Sequence, residues 1–252
     1  MRKSIKHLFI SSLWMLFLLP IMQGQAVSMV QYHHVKAENR AEFVHRETTY
    51  WSEIAKAAIK DGKMANWQLW EKVGGWNMDS SPNFIFVNGF ADISHINNLN
   101  EVWNPTKVFP NVRMKDMGTR GLSTLKHQMV FQGNAFAGTD TTPQFARVNY
   151  YKASDLTKYL EQERTVWQPF IKQQMDSGNT TQVSWFSAAK IMPFGSDFPF
   201  NAISSDGYLT LSEAIMPSTS FKEAPTYPDL TELLKVATRQ RVIVYRLVKE
   251  VH

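Results

Sequence analysis

The chain has 252 residues, 13% of them aromatic, with no cysteine and a formal net charge of +5. Without cysteine it has no disulfide framework, no thiolate metal site and no thiol for lipid attachment, so the fold must rest on its apolar core. Arg2, Lys3 and Lys6 belong to an acid-free leader and supply three of the five charges, leaving +2; this is too little for a nucleic-acid footprint, and no Lys/Arg run with interleaved aromatics follows.

The basic start Met1 to His7 precedes an apolar run, Leu8 to Met22, broken by Ser11, Ser12 and Pro20, and then Gly24-Gln25-Ala26. This pattern predicts a signal peptide over 1–26, cleaved after Ala26, with a core too short for a comfortable membrane span. The expected address is periplasmic or secreted, with no membrane span after cleavage. About 226 residues then remain, enough for one large or two small domains.

Next comes a strand signal, Met29 to Val35, and a long helix from about Glu38 to Lys60 with Val44, Trp51, Ile54, Ala55 and Ala58 at helical spacing. Asp61-Gly62 is the stop, because glycine tolerates the left-handed conformation that closes a helix. A second strand is expected over Ala65 to Val73. A loop carrying Gly74-Gly75 and Ser81-Pro82 leads to a third strand, Phe84 to Phe90. An irregular helical segment, Ile93 to Trp103, opens on Asp92 or Ser94 as cap, and Lys126 to Gln132 closes the unit. Gly133 to Pro143, rich in Gly and Thr, reads as a linker.

The chain then repeats itself. At an offset of 116, residues 36–72 match 152–188 with seven identities, among them Glu47 with Glu163, Trp51 with Trp167 and Gly62 with Gly178. Apolar positions correspond as well: Phe43 with Tyr159, Ile54 with Phe170, Leu69 with Trp185, Trp70 with Phe186. Beyond the long loop the offset becomes 118, aligning Gly89-Phe90 with Gly207-Tyr208. The second unit therefore reads as strand Phe145 to Tyr151, a helix closed at Ser177-Gly178, strand Thr181 to Ala189, a helical segment near Leu230 to Thr238 and a last strand Arg241 to Val248. The expected architecture is α+β, two tandem ferredoxin-like βαββαβ repeats, 27–138 and 139–252. Their antiparallel sheets pair into a pseudo-dimeric barrel, because a sheet with helices on one face must bury the other.

With this element order, the tandem copy and the Glu-x-x-x-Trp…Gly pattern, the chain resembles the dimeric α/β-barrel superfamily. The resemblance implies that one chain supplies both barrel halves, so that a monomer suffices, and that a ligand lies in a cleft between helix and sheet. Superfamily members include cofactor-free monooxygenases, haem-binding and haem-degrading proteins and chlorite-decomposing haem enzymes, so haem is a cofactor that only this resemblance suggests.

Glu47 and Glu163 fall on the apolar helix stripes rather than on solvent faces, and a carboxylate there needs a partner or a raised pKa. Two roles are open: proton acceptor or ligand anchor beside a Trp one turn away, or a tether bonding a buried Tyr, His or indole. Recurrence in both copies favours the tether. Strand alternation slightly favours Tyr32 and His34 facing the helix with Val148 and Tyr150, which makes His34 and Tyr150 the equivalent donors near the two acids. The histidines do not assemble into a metal site, and the hydrolase elbow, phosphate loop and dinucleotide fingerprint are absent.

Three functions remain in view. The first is an exported small-molecule-binding protein holding a flat or apolar ligand against Trp51, Trp67, Trp167 and Trp185. The second is a cofactor-independent monooxygenase- or isomerase-type enzyme using Glu47 or Glu163 with His34 or Tyr150 for proton transfer. The third is an envelope module meeting another protein through Tyr50, Trp76, Trp103 and Phe109.

Overall fold

The computed structural model describes residues 26–73, 81–193 and 199–252; residues 1–25, where a signal peptide is expected, and Gly74-Gly75, Trp76 and Gly195 lie outside them. Eight antiparallel strands close into a barrel in the order β1-β3-β2-β8-β5-β7-β6-β4. They are β1 Val27–Val35, β2 Asn66–Lys72, β3 Phe84–Phe90, β4 Ser123–Gly138, β5 Phe145–Ala153, β6 Ser184–Met192, β7 Ala202–Tyr208 and β8 Ala237–Val251. Two long helices, α1 (residues 40–60) and α2 (residues 156–176), pack on the outside. No helix among the described residues is long and apolar enough to cross a membrane.

Closure depends on the two longest strands. The first part of β4 pairs with β1 and the last part with β6, while β8 pairs first with β5 and then with β2. Each thus bridges the two four-stranded sheets and removes the free edges that would invite aggregation. The Gly/Thr-rich segment read as a linker from Gly133 is therefore strand as far as Gly138, since those residues complete the seam with β6.

The register of the strands corrects the sequence offset. Asn83 bonds the backbone of Val35 through both its amide atoms, and Asn201 does the same to Ala153. β1 and β5 therefore correspond at 118, not 116, as do β2 with β6 and β3 with β7. Only the helices keep 116, because two residues are lost between β5 and α2 and regained before β6. Structurally, Trp67 answers Trp185 and Tyr32 answers Tyr150. The pairing of His34 with Tyr150, and of Leu69 with Trp185, does not hold.

Apolar side chains gather inside the barrel and under each of the two helices. Inside the barrel lie Val30, Tyr32, Trp70, Ile85, Met129, Phe131, Val148, Tyr150, Ile203 and Tyr245. Under α1, Phe43, Ala55 and Ala58 meet Trp67, Leu69, Phe84, Phe86 and Phe90 in one continuous cluster. Each fully buried phenylalanine there contributes roughly 2–3 kcal/mol. Under α2 the corresponding layer is divided in two, one cluster around Trp185 and Phe170 and another around Tyr159 and Ala202. Gly62 at φ +71° and Gly178 at φ +67° close the two helices as expected, and Asp92 caps its helical turn by accepting from the Ser94 amide.

Candidate functional site

Both long helices contain a single π turn, at Glu47–Trp51 and Glu163–Trp167, in which the amide of residue 52 or 168 bonds the carbonyl of the glutamate five residues back. The wider turn shifts the inward face: buried positions in α1 run Phe43, Glu47, Ser52, Ile54, Ala55, Ala58, with a step of five across the turn. Trp51 is thereby moved to the helix flank, where its indole N–H donates to the Met117 carbonyl at 3.0 Å and its ring meets Trp103 edge-on. π turns are frequent at functional sites.

The glutamates at the head of these turns are 5% and 3% exposed. Glu47 accepts from the Thr119 hydroxyl at 2.7 Å, and burial pushes its pKa up to about 8 against the lowering effect of that bond. Glu163 accepts from Tyr159, four residues back on its own helix, at 2.6 Å; burial pushes it up to about 7, with Tyr159 lowering it and the charge of Asp206 raising it. Neither acid is held by a group on β1 or β5.

The strand faces explain this. Tyr32 and Tyr150 point into the barrel, where the Tyr150 hydroxyl meets that of Tyr245 at 3.2 Å. His34 Nδ1 meets the Ser81 carbonyl at 2.8 Å. Facing α1 instead is His33, edge-on to Phe86 and held by burial at a pKa of about 4. Strand alternation could not choose this parity; packing did.

Of the four tryptophans, Trp67 and Trp185 are fully buried under the helices, Trp67 against Phe86 and Trp185 with Phe170 and Ile171. Trp167, half-buried at the end of the second π turn, lies parallel to Tyr227 at 6.5 Å and against Phe170 at 5.2 Å. Tyr50, Trp103 and Phe109 are half-buried, Tyr50 edge-on to Phe109 at 5.3 Å and Trp103 against Trp51 at 6.1 Å.

The layers under α1 and α2 carry different chemistry. Where the first has Phe84, Phe86, Leu69 and Asn88, the second has Ala202, Ser204, Ser187 and Asp206 at the structurally equivalent positions. Asn149 on β5 donates to Asp206 Oδ2 at 2.9 Å and to Ser204 at 3.4 Å, and Gln182 donates to Asp206 Oδ1 at 3.2 Å while accepting from Tyr208 at 3.3 Å. Asn134 on β4 donates to Ser187 at 3.1 Å and to the Leu160 carbonyl at 2.9 Å. Burial pushes Asp206 up to about 6, against the lowering effects of Asn149 and Arg147. Burial, then Glu163 and Asp206, push Tyr151 up to about 12.

Three buried atoms of this second layer have no hydrogen-bond partner among the described residues: Glu163 Oε2, Asn149 Oδ1 and Trp185 Nε1. They belong to residues 3%, 4% and 0% exposed, on α2, β5 and β6. Buried polar groups are nearly always satisfied; three more unpartnered atoms, Asn66 Oδ1, Asn88 Oδ1 and His95 Nδ1, belong to the first half, and the second layer differs in gathering a carboxyl, an amide and an indole from a helix and two strands. The sequence names Glu163 from its helical stripe and Trp185 among the aromatic strand residues, and offers Asn149 with Gln31, His33 and Arg147 only as the opposite strand parity. Ser204, Asp206 and Gln182 are not singled out, because an isolated Ser, Asp or Gln carries no pattern until the sheet brings them together.

Haem does not fit this layer. Haem iron takes an axial His, Cys, Met or Tyr, and the second half has no cysteine and only His252, which pairs with Glu250 at 3.1 Å. Tyr159 is committed to Glu163, Tyr151 to Ser204, Tyr208 to Gln182 and Met175 to the apolar cluster around Trp185, and the Tyr227 ring packs among Trp167, Phe170 and Phe221. Among the described residues no three His, Cys, Asp or Glu side chains gather to hold a metal ion.

No protein-family model and no curated protein matches the chain. Solved structures match its fold. A "putative monooxygenase" from Lactobacillus acidophilus NCFM gives a TM-score of 0.53 at 10% identity, over 90% of this chain and 95% of that one. An anthrone oxidase-like protein gives 0.52 at 9% identity over 90% and 92%. A protein described like the first, from Fusobacterium nucleatum, gives 0.50 at 9% identity over 91% and 95%. The fold is that of the dimeric α/β-barrel proteins, as the element order implied.

Proposed function

We propose that this is an exported small-molecule-binding protein, built from two tandem ferredoxin-like repeats (27–138 and 139–252) of duplicated origin and directed to the periplasm or exterior by the signal peptide 1–26. Its ligand sits between α2 and strands β5, β7 and β6. The observation that carries this is the trio of unpartnered buried atoms, Glu163 Oε2, Asn149 Oδ1 and Trp185 Nε1, above a floor of small side chains at Ala202, Ser204 and Ser187. A ligand with two donors and one acceptor satisfies all three and removes a desolvation cost of about 1–3 kcal/mol per group. The aromatic set Trp167, Phe170 and Tyr227 supplies a flat apolar wall beside it.

A second reading is an enzyme that uses Glu163 for proton transfer. It is supported by the near-neutral titration of Glu163, at about 7, and Asp206, at about 6, since a general base works best with a pKa near the working pH. Two fold neighbours described by monooxygenase or oxidase names lend it context, although shared fold does not carry a reaction.

Native mass spectrometry of the mature protein from its own exported fraction tests the first reading. A bound mass of a few hundred daltons, lost on denaturation and absent from Glu163→Gln, is the expected result. An apo mass for both proteins, with unchanged tryptophan fluorescence across a ligand library, overturns it. Turnover of a bound compound by the wild type, but not by a Glu163→Gln variant that still binds it, moves the assignment to the enzyme.

A further inference from the structure

The chain contains a control for how it treats a buried carboxylate. Glu71 is 3% exposed and is met by two guanidinium groups, Arg40 at 2.7 Å on each oxygen and Arg246 at 2.6 Å. Its pKa is lowered despite burial, because those bonds outweigh desolvation. An acid that the fold needs ionised is thus given cations.

The layer under α2 holds two carboxyls and gives neither of them one. Glu163 has Tyr159 as its hydrogen-bond donor, and Asp206 has the amides of Asn149 and Gln182. Arg147, the cross-strand partner of Asp206 in the β5–β7 register, sends its guanidinium to the carbonyls of Ala214 and Ile215 at 3.1 Å. Around the pair stand Tyr159 from α2, Tyr151 and Arg147 from β5, Tyr208 from β7 and Arg239 from β8; the two arginines act on Asp206 only through space. The site is therefore short of positive charge, and burial, which pushes Glu163 up to about 7 and Asp206 up to about 6, leaves the pair partly protonated at pH 6.5. A fixed cation in that place would let both acids ionise and would pair with them at low local dielectric.

The unpartnered atoms add a second, independent observation. Glu163 Oε2 and Asn149 Oδ1 are acceptors, which an ammonium or amidinium N–H satisfies, and Trp185 Nε1 is a donor, which an oxygen, a ring nitrogen or the face of an aryl ring on the same molecule accepts. The neighbouring rings of Trp167, Phe170 and Tyr227 suit the face of a cation or an aryl group. We infer that the ligand of this site is a small organic cation, a protonated amine carried on an aryl or apolar body, seated against Glu163, Asp206 and Asn149. The inference rests on the binding site proposed above and names its chemical class.

Three probes of matched size separate the possibilities: phenethylamine, 2-phenylethanol and phenylacetate, titrated calorimetrically into the mature protein at pH 6.5 in two buffers of different ionisation enthalpy. Phenethylamine is expected to bind about tenfold or more tightly than the alcohol, as one charge-assisted hydrogen bond supplies, with phenylacetate the weakest. Its binding should release protons as Glu163 and Asp206 ionise, a readout in the wild type that needs no variant to fold. Glu163→Gln should erase the preference for the amine over the alcohol. Equal or tighter binding of the alcohol or the acid, or amine binding without proton release, overturns the cationic class. If that neutral or anionic binding is still lost in Asn149→Leu, the site itself stands. Failure of all three probes to bind at millimolar concentration sinks both the class and the site.

Discussion

Replacing Glu47 by Gln tests how the buried acids are paid for. In the folded chain Glu47 holds its proton up to a pH of about 8, against 4.5 for a free glutamate, because burial disfavours its charge more than the Thr119 hydroxyl favours it. The folded pKa lies above the unfolded one, so between 4.5 and about 8 the folded state binds more protons and stability falls as pH rises. Below 4.5 both states are protonated and nothing is lost. At about 1.4 kcal/mol per pH unit, the gap corresponds to as much as about 5 kcal/mol at pH 8.5 and about 3 at pH 7. Glutamine keeps the acceptor for Thr119 and cannot ionise. Glu47→Gln should therefore match the wild type within about 1 kcal/mol at pH 4.5 and exceed it by several kcal/mol at pH 8.5. Urea unfolding of residues 27–252, followed by tryptophan fluorescence at both pH values, gives the difference directly. A stability difference that is the same at both, or a variant less stable at pH 8.5, refutes the claim that Glu47 is buried protonated.

Glu71 should behave in the opposite sense: its pKa is lowered, so its contribution is present above the free-glutamate value and lost as pH falls. Glu71→Ala, which strands Arg40 and Arg246, should lower stability by about 2 kcal/mol at pH 7, a figure kept small because both arginines are partly exposed, and by less near pH 3. Tyr150→Phe leaves the Tyr245 hydroxyl without its 3.2 Å partner inside the barrel, and unfolding curves should show a loss of about 1–2 kcal/mol. Gly178→Ala forces a side chain on φ +67° at the end of α2 and should reduce the unfolding free energy by about 1 kcal/mol.

Much of the fold was legible because local chemistry and packing agree. Gly62 and Gly178 had to be helix stops, Phe84 to Phe90 had to be a strand, and a sheet covered by helices on one side had to find a second cover. The buried acids were legible too, since Glu47 and Glu163 sit on apolar stripes that no solvent-facing residue occupies. The stripes misled about Trp51, because the count assumed 3.6 residues per turn and the π turn spends an extra one. The first strands misled as well. Alternation states that Tyr32 and His33 point to opposite faces but not which face is the core, and a two-residue change beside the helix shifts the correspondence between halves from 116 to 118.

By itself the sequence determined most of the elements, their order and the place of two acids on helical apolar faces, since these depend on periodicity and on residues near one another in the chain. Only the tertiary structure decided the register of the strands, the parity of β1 and β5 and the polar character of the layer under α2. Asn149, Gln182, Trp185, Ser204 and Asp206 meet there from three strands and the loop before β6. Contacts between residues tens of positions apart are fixed by sheet pairing and helix docking, and no local pattern records them.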